Sequence, residues 1–541
     1  MTHYLLPSSR KRASTRGESA PTVGLTQGRP PNARLWQQCL TSDTITRATL
    51  GRSAGTTSWL TTFKPGSALP LHRQLYESIR DGILQGQLSG GARLPSSRTL
   101  QRDLGVSRNT VLSALEQLAA EGYLVGRRGS GVFVAATLPD QLLNAPRAAL
   151  GHQVRDGSAA PRTAVARELV RFPAGPSPLR PFNFWAAAVD HFPIRTWSRL
   201  MKRHLNQADR SLMAYGRAAG LTSLREAVAA HLTSSRAVNC DARQVLITAG
   251  AQQGLTLVAR VLLGAGDRAV VEDPVYMGAL MALRWAGAEV IPVPVDREGL
   301  NVEAATRLGA GARLAFVTPS RQFPLGMTMS VSRRLALLEW ARSADAWILE
   351  DDYDTEYRFA GRPIASLQGM DPSGRVIYMG TFSKVLFPSL RLGYLVLPPA
   401  LVQVFAAARA WSDWHSPTLE QAVLADFISE GHFGRHLRRM RALYAHRHGV
   451  LLKASRKHLA GLLDVQPSTG GMFTVGWLPK GTDAVVAARI ASHQGVTADP
   501  VQAYAAARRR LPPGLLLGFA GFNDSAIEGG VRQLAAALIA H

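Results

Sequence analysis

GTFSKVLFPSLRLGY, residues Gly380 to Tyr394, places one lysine after Thr-Phe-Ser and one arginine seven residues further on. A lysine amine can attack a carbonyl carbon, and an arginine among hydroxyls can grip a phosphate. The stretch grows out of a short apolar run, RVIYMGT, that reads as a buried strand. Upstream, QVLITAG, RAVVEDP, RLAFVTP and AWILEDD are further apolar runs, separated by helical patterns. Strands buried on both faces and spaced by helices predict an α/β domain with a mostly parallel sheet, over residues 181–541.

The full chain of 541 residues is too long for one ordinary core, so two or more domains are expected. Its formal charge of +24 predicts attraction to a polyanion, most simply nucleic acid. Cys39 and Cys240 are the only cysteines, which excludes a disulfide framework and fits a reducing cytoplasm. No apolar run has the length of a membrane span, and the N-terminus lacks the apolar core of a secretory signal. A cytoplasmic protein with no membrane partner is expected.

Residues 1–66 are rich in Ser, Thr, Arg, Gly and Pro, with Glu18 and Asp43 as their only acids, and hold no period. A disordered basic extension is expected there. A non-specific basic arm or a mis-assigned start fits it better than a transit peptide. Residues 136–180 again lose periodicity and collect Pro, Ala, Gly and Arg, as a linker does.

Between these two segments, residues 67–135 are regular. A helix with Leu75, Ile79 and Ile83 on one face is followed by LPSSRTLQRDLG, with Ser96 or Ser97 as N-cap and Gly105 as stop. SRNTVLSALEQLAAEGYL starts the next helix at a Ser107 cap, and YLVGRRGSGVFVA reads as a hairpin with a basic, glycine-rich tip. The order predicts a winged helix-turn-helix. Its second helix would set Ser107, Arg108, Asn109 and Thr110 against double-stranded DNA, Arg108 suiting guanine and the hydroxyls suiting phosphate. Arg98 reaches the same backbone from the preceding helix, while Arg127, Arg128 and Gly129 at the tip suit the minor groove. Any one of these arginines alone reads as a solvated surface charge. The ordered set LPSSRTL, GVSRNTV, LAAEGYL and GSGVFV does not, and it closely resembles the GntR-type winged helix-turn-helix.

The larger half offers what pyridoxal 5'-phosphate (PLP) needs: an amine, a carboxylate for the ring nitrogen, a donor for the phenolic oxygen, a flat cover and a phosphate cup. Lys384 is the candidate Schiff-base amine and Asp351 the candidate carboxylate. Tyr353 is the donor and Tyr276 of EDPVY the cover. Thr381, Ser383 and Arg391 suit the phosphate, together with the helix start TAGAQQG, where Ala251 and Gln252 present backbone amides. Each is weak by itself; the order TAGAQQG, EDPVY, SRQFPLG, LEDDYD, GTFSK…LRLGY resembles a fold-type-I aminotransferase domain. YGRAAGLTSLREAVAAHL and PSTGGMF match as well.

A GntR-like head on an aminotransferase-like body is the plan of the MocR/GabR family of bacterial transcriptional regulators. That resemblance implies PLP on Lys384, a homodimer in which each head associates with the partner's body, and control of a promoter at an operator. Five positions depart from the related patterns. Leu515 and Leu516 stand where aminotransferases carry the arginine that grips a substrate carboxylate, which argues against efficient transamination. Arg321 replaces a frequent histidine and reads either as a substitute anion handle or as a salt-bridged structural residue. Phe473 replaces another histidine, and Gly278 stands where GABA-responsive members carry arginine. The resulting expectation is a PLP-dependent regulator, sensing PLP alone or PLP with a small amino compound. A working aminotransferase with an accessory head, and a DNA-binding protein with a relic body, are the alternatives.

Overall fold

The computed structural model describes residues 69–142, 179–207, 210–360, 365–507 and 511–540. The expected extension 1–66, and residues 143–178 of the expected linker, lie outside the described residues. The chain divides into two compact units, residues 1–160 and 161–541.

In the first unit, α1 (Leu71–Leu84) buries Leu75, Ile79 and Ile83, four residues apart on one stripe. Helix α2 (Ser97–Leu104) is capped by Ser96, whose hydroxyl accepts from the Thr99 amide at 3.1 Å. Gly105 ends it in the left-handed conformation, with φ of 63°. Ser107 caps α3 (Arg108–Ala120) the same way, accepting from the Thr110 amide at 3.1 Å. Val111, Ala114, Leu115 and Leu118 of α3 close the core. Strands β1 (Leu124–Arg127) and β2 (Gly131–Val134) form the antiparallel wing, and Arg93 bridges to Phe133 on its outer edge.

This packing runs past residue 135, into the stretch expected to be linker. There α4 (Pro139–Leu142) brings Asp140 to accept from the Tyr123 hydroxyl at 2.5 Å, with Arg80 at 3.5 Å. Leu138 packs on the same core. Composition hides this, because one apolar contact and one carboxylate do not make a period.

The second unit is built on an eight-stranded sheet. Its order is β3 (Val245–Thr248), β10 (Gly393–Val396), β9 (Val376–Thr381), β8 (Trp347–Asp352), β7 (Ala312–Val317), β4 (Arg268–Asp273), β5 (Glu289–Asp296) and β6 (Gly299–Leu300). Strands β5, β4, β7, β8 and β9 run parallel, and β10 is antiparallel to both its neighbours. Along β4, Ala269 and Val271 join one core while Val270 joins another, so both faces are covered. That double burial is why these strands read as continuous apolar runs.

Helix α5 (Ile194–Asn206) precedes the sheet. Helices α6 (Thr222–Arg236), α7 (Ala251–Leu262), α8 (Met277–Trp285), α9 (Val302–Leu308), α10 (Val331–Ser343) and α11 (Val402–Asp413) connect or cover its strands. Beyond them, α12 (Thr418–Ser429) and the long α13 (His432–His458) lead to a second sheet. It comprises β11 (Asp464–Val465), β12 (Phe473–Trp477), β13 (Asp499–Pro500) and β14 (Gly514–Gly518), all antiparallel, with α14 (Ala484–His493) and α15 (Asp524–Ile539) against it. The expectation of one mostly parallel sheet over residues 181–541 did not distinguish this second, antiparallel sheet, whose strands β12 and β14 are far apart in sequence. Among the described residues no helix is long and apolar enough to cross a membrane.

Candidate functional site

The C-terminal ends of β8 and β9 and the start of α7 surround a cavity of about 250 Å³. Ligands of α/β sheets gather at such strand ends. Lys384, Asp351, Tyr353, Tyr276 and Arg391 all line it. So do Thr381, Ser383, Ala251 and Gln252, and the nine sequence-selected positions of this half therefore meet in one place.

Strand alternation decides what Asp351 does. Its neighbours Glu350 and Asp352 point to the opposite face and are fully engaged. Glu350 accepts from the amides of Leu367 (2.8 Å) and Gln368 (2.9 Å); Asp352 accepts from Arg236 (2.8 Å) and Tyr378 (2.6 Å). Asp351 points into the cavity with a buried Oδ1 that has no hydrogen-bond partner. Burial, followed by the charges of Asp352 and Asp354, pushes its carboxyl up to about 8. A cationic ring N–H placed there would satisfy the oxygen and restore the charge. The site fits a pyridinium.

Lys384 lies behind the turn after β9, where Thr381 Oγ1 accepts from the Ser383 amide at 3.2 Å. Its Nζ sits 4.3 Å from the ring centre of Trp185, and burial pushes the amine down to about 8 against the pull of Asp354 and Asp351. An amine so lowered is a competent nucleophile near neutral pH. Tyr353 accepts from Arg321 Nη1 at 3.2 Å, which leaves its own proton free to donate. Burial pushes the Tyr276 phenol up to about 12, so it stays neutral as a flat cover.

The phosphate end is a cradle. Helix α7 begins at Gly250, which has no side chain to cap the first amides, and φ there is 94°. Arg391, itself left-handed at φ 51°, donates to the Ala249 carbonyl at 2.8 Å. Its guanidinium lies 3.2 Å from where a Cβ on Gly250 would sit. Gly250→Ala should therefore weaken PLP binding by roughly tenfold through crowding of Arg391 and the strained φ. A PLP titration followed by visible absorbance measures this; an unchanged affinity would show that the cradle does not hold the phosphate.

Further lining residues had no role assigned from the sequence: Phe184 and Trp185 lie outside every quoted motif, while Phe323, Asp354 and Met472 lie within SRQFPLG, LEDDYD and PSTGGMF. Trp185 lies far from Lys384 in the sequence, and FNFW offers no spacing that points to it. Arg321 resolves as structural. It pairs with Asp354 (3.2 Å), donates to the Phe473 carbonyl (2.5 Å) and lies 4.2 Å over the Phe473 ring. Leu515 and Leu516 are fully buried in β14. At Gly278 a Cβ would stand 2.5 Å from the Tyr276 ring and from Gln252 Oε1, so no larger residue fits without moving the cover.

On the first unit, Asn109 is exposed in the opening turn of α3, beside the half-buried Arg108 and Thr110. Arg98 is exposed on the first turn of α2. Arg127 stacks on Phe133, 4.8 Å from the ring centre, while Arg128 and Gly129 are exposed at the wing tip. These positions present a cationic, hydroxyl-bearing surface of the kind that engages DNA.

Residues 183–533 match the family of aminotransferases class I and II, and residues 71–134 match the gntR family of bacterial regulatory proteins. The probable rhizopine catabolism regulatory protein MocR of Rhizobium meliloti is 42% identical, over 87% of this chain and 94% of that protein. The pyridoxine biosynthesis transcriptional regulator PdxR of Corynebacterium glutamicum is 32% identical, over 80% of this chain and 89% of that protein. Among solved structures, a kynurenine aminotransferase of Pyrococcus horikoshii superposes with a TM-score of 0.63 at 29% identity, over 70% of this chain and 95% of that one.

Proposed function

Because the chain belongs to the MocR-type transcriptional regulators, a GntR-family head joined to an aminotransferase class I and II body, we propose that its body holds PLP on Lys384 and that this occupancy sets the affinity of its head for an operator. The carrying observation is the buried, unpartnered Asp351 Oδ1 on the wall of the cavity that Lys384 lines. PLP supplies an electrophilic aldehyde carbon and an electron-poor ring able to hold a primary amine. Lys384 anchors it, Asp351 opposes the ring nitrogen, Tyr353 donates to the phenolic oxygen and Tyr276 covers the ring. Arg391, Thr381, Ser383 and the amides of Ala251 and Gln252 take the phosphate. On the head, Arg108 and Asn109 read base edges, while Arg98, Ser107, Thr110, Arg128 and Gly129 take the backbone.

The relative named for pyridoxine biosynthesis favours PLP itself as the signal. The one named for rhizopine catabolism keeps a second small ligand, an amino compound, as the other mode. The working form is a homodimer in the bacterial cytoplasm, where its DNA lies. A working aminotransferase is less favoured, since the relatives that span both units are regulators. Among the described residues on the cavity wall the only cations are Lys384 and Arg391, and Arg391 is committed to the phosphate end. Protein incubated with PLP and freed of excess should show a visible absorbance band; a colourless protein would overturn the cofactor assignment.

A further inference from the structure

Helices α5 and α13 contain no aspartate or glutamate, yet carry four and eight Arg or Lys residues. Some of these cations are spoken for: Arg203 pairs with Asp426 and Glu430, and Arg447 donates to the Ala520 carbonyl. Others are not. Arg195, Arg199 and Lys202 recur at i, i+4 and i+7, so they share one exposed face of α5. Arg438 is exposed on the second turn of α13; none of these four has an ion-pair or hydrogen-bond partner among the described residues. Arg435 bonds only the Glu430 carbonyl and His432, so no carboxylate offsets its charge.

The two helices share a neighbour, since α12 packs on both, and α13 also meets the segment that leads into α5. Arg439 donates to the His191 carbonyl at 2.5 Å, and the ring of Phe192 lies 5.8 Å from that of His436. Two of the carboxylates bordering the face are already engaged, Asp426 by Arg203 and His204 and Glu430 by Arg203. Asp190 is exposed, 3.5 Å from His191, and is a single acid against five cations. What remains is a self-repelling cationic surface, whose repulsion a dense counter-charge would relieve.

We propose that this face of the body binds the phosphate backbone of DNA, as a second, sequence-independent contact beside that of the head. The charge complementarity points to DNA, which carries one negative charge per ~1.7 Å of helix axis. The inference extends the DNA-binding reading without using the head residues. Its test compares the full-length protein with the combined variant Arg195→Gln, Arg199→Gln, Lys202→Gln, Arg438→Gln. Each is titrated with a duplex of arbitrary sequence, about 60 base pairs long, between about 50 and 200 mM salt. The slope of log affinity against log salt should fall by about 3, and affinity should drop at least tenfold at about 100 mM salt. The four side chains are on the surface, so the thermal transition should not move. An unchanged slope overturns the proposal, while the parent's own slope still reports on the head. A variant that changes oligomeric state with no change in slope would give the face to a second copy of the chain, which also overturns it.

Discussion

Lys384→Ala should leave the protein folded but colourless after incubation with PLP, with cofactor affinity reduced by about 100-fold or more. The covalent anchor is lost, while Asp351 and the phosphate cradle keep only reversible contacts. At ~1.4 kcal/mol per tenfold, the expected deficit is about 3 kcal/mol. The fold should survive for two reasons. The Lys384 carbonyl, which accepts from the Tyr357 hydroxyl at 3.3 Å, is untouched by the change. In addition, the amine is held in a setting that pushes it down to about 8, so at neutral pH its removal relieves a desolvated cation. Visible absorbance and equilibrium dialysis with PLP measure the two quantities. A variant that keeps the band and the affinity would remove Lys384 from the site.

The second large effect is on the head. Arg108→Ala should weaken operator binding by about 1–3 kcal/mol, or roughly 5- to 150-fold, and leave the visible band unchanged. The side chain opens α3 just after the Ser107 cap, and the cap bond to Thr110 does not involve it. Helix α3 should therefore form normally in the variant. Electrophoretic or fluorescence binding assays at fixed salt would show the loss. Retention of full affinity would mean that α3 is not the base-reading element.

Much of the site was legible because its chemistry is local. Asp351 closes β8, Tyr353 and Lys384 follow β8 and β9, and Arg391 stands just before β10, all beside apolar runs that announce those strands, and their order along the chain carried the rest. What was not legible depends on distance or on partners. Trp185 reaches Lys384 only through the fold, and FNFW carries no sign of it. Arg321 was undecided as text, because a guanidinium in a cavity and one in a salt bridge have the same letters; Asp354 and the Phe473 carbonyl settle its engagement. The small antiparallel sheet was not distinguished within the mostly parallel domain, since β12 and β14 are separated by a long stretch of sequence and pair only through the fold. The head was legible almost throughout, with caps at Ser96 and Ser107, and only the α4 extension escaped, being held by single contacts through Leu138 and Asp140.

Occupancy of the body should change the grip of the head. This is tested most directly by measuring the affinity of the full-length protein for its promoter fragment with the cofactor removed and then restored. A coupling of about 1–3 kcal/mol predicts a change of roughly 5- to 150-fold on adding PLP, and no change in Lys384→Ala at PLP concentrations that saturate only the parent protein. Equal affinity of the parent protein with and without PLP would mean that the body does not regulate the head.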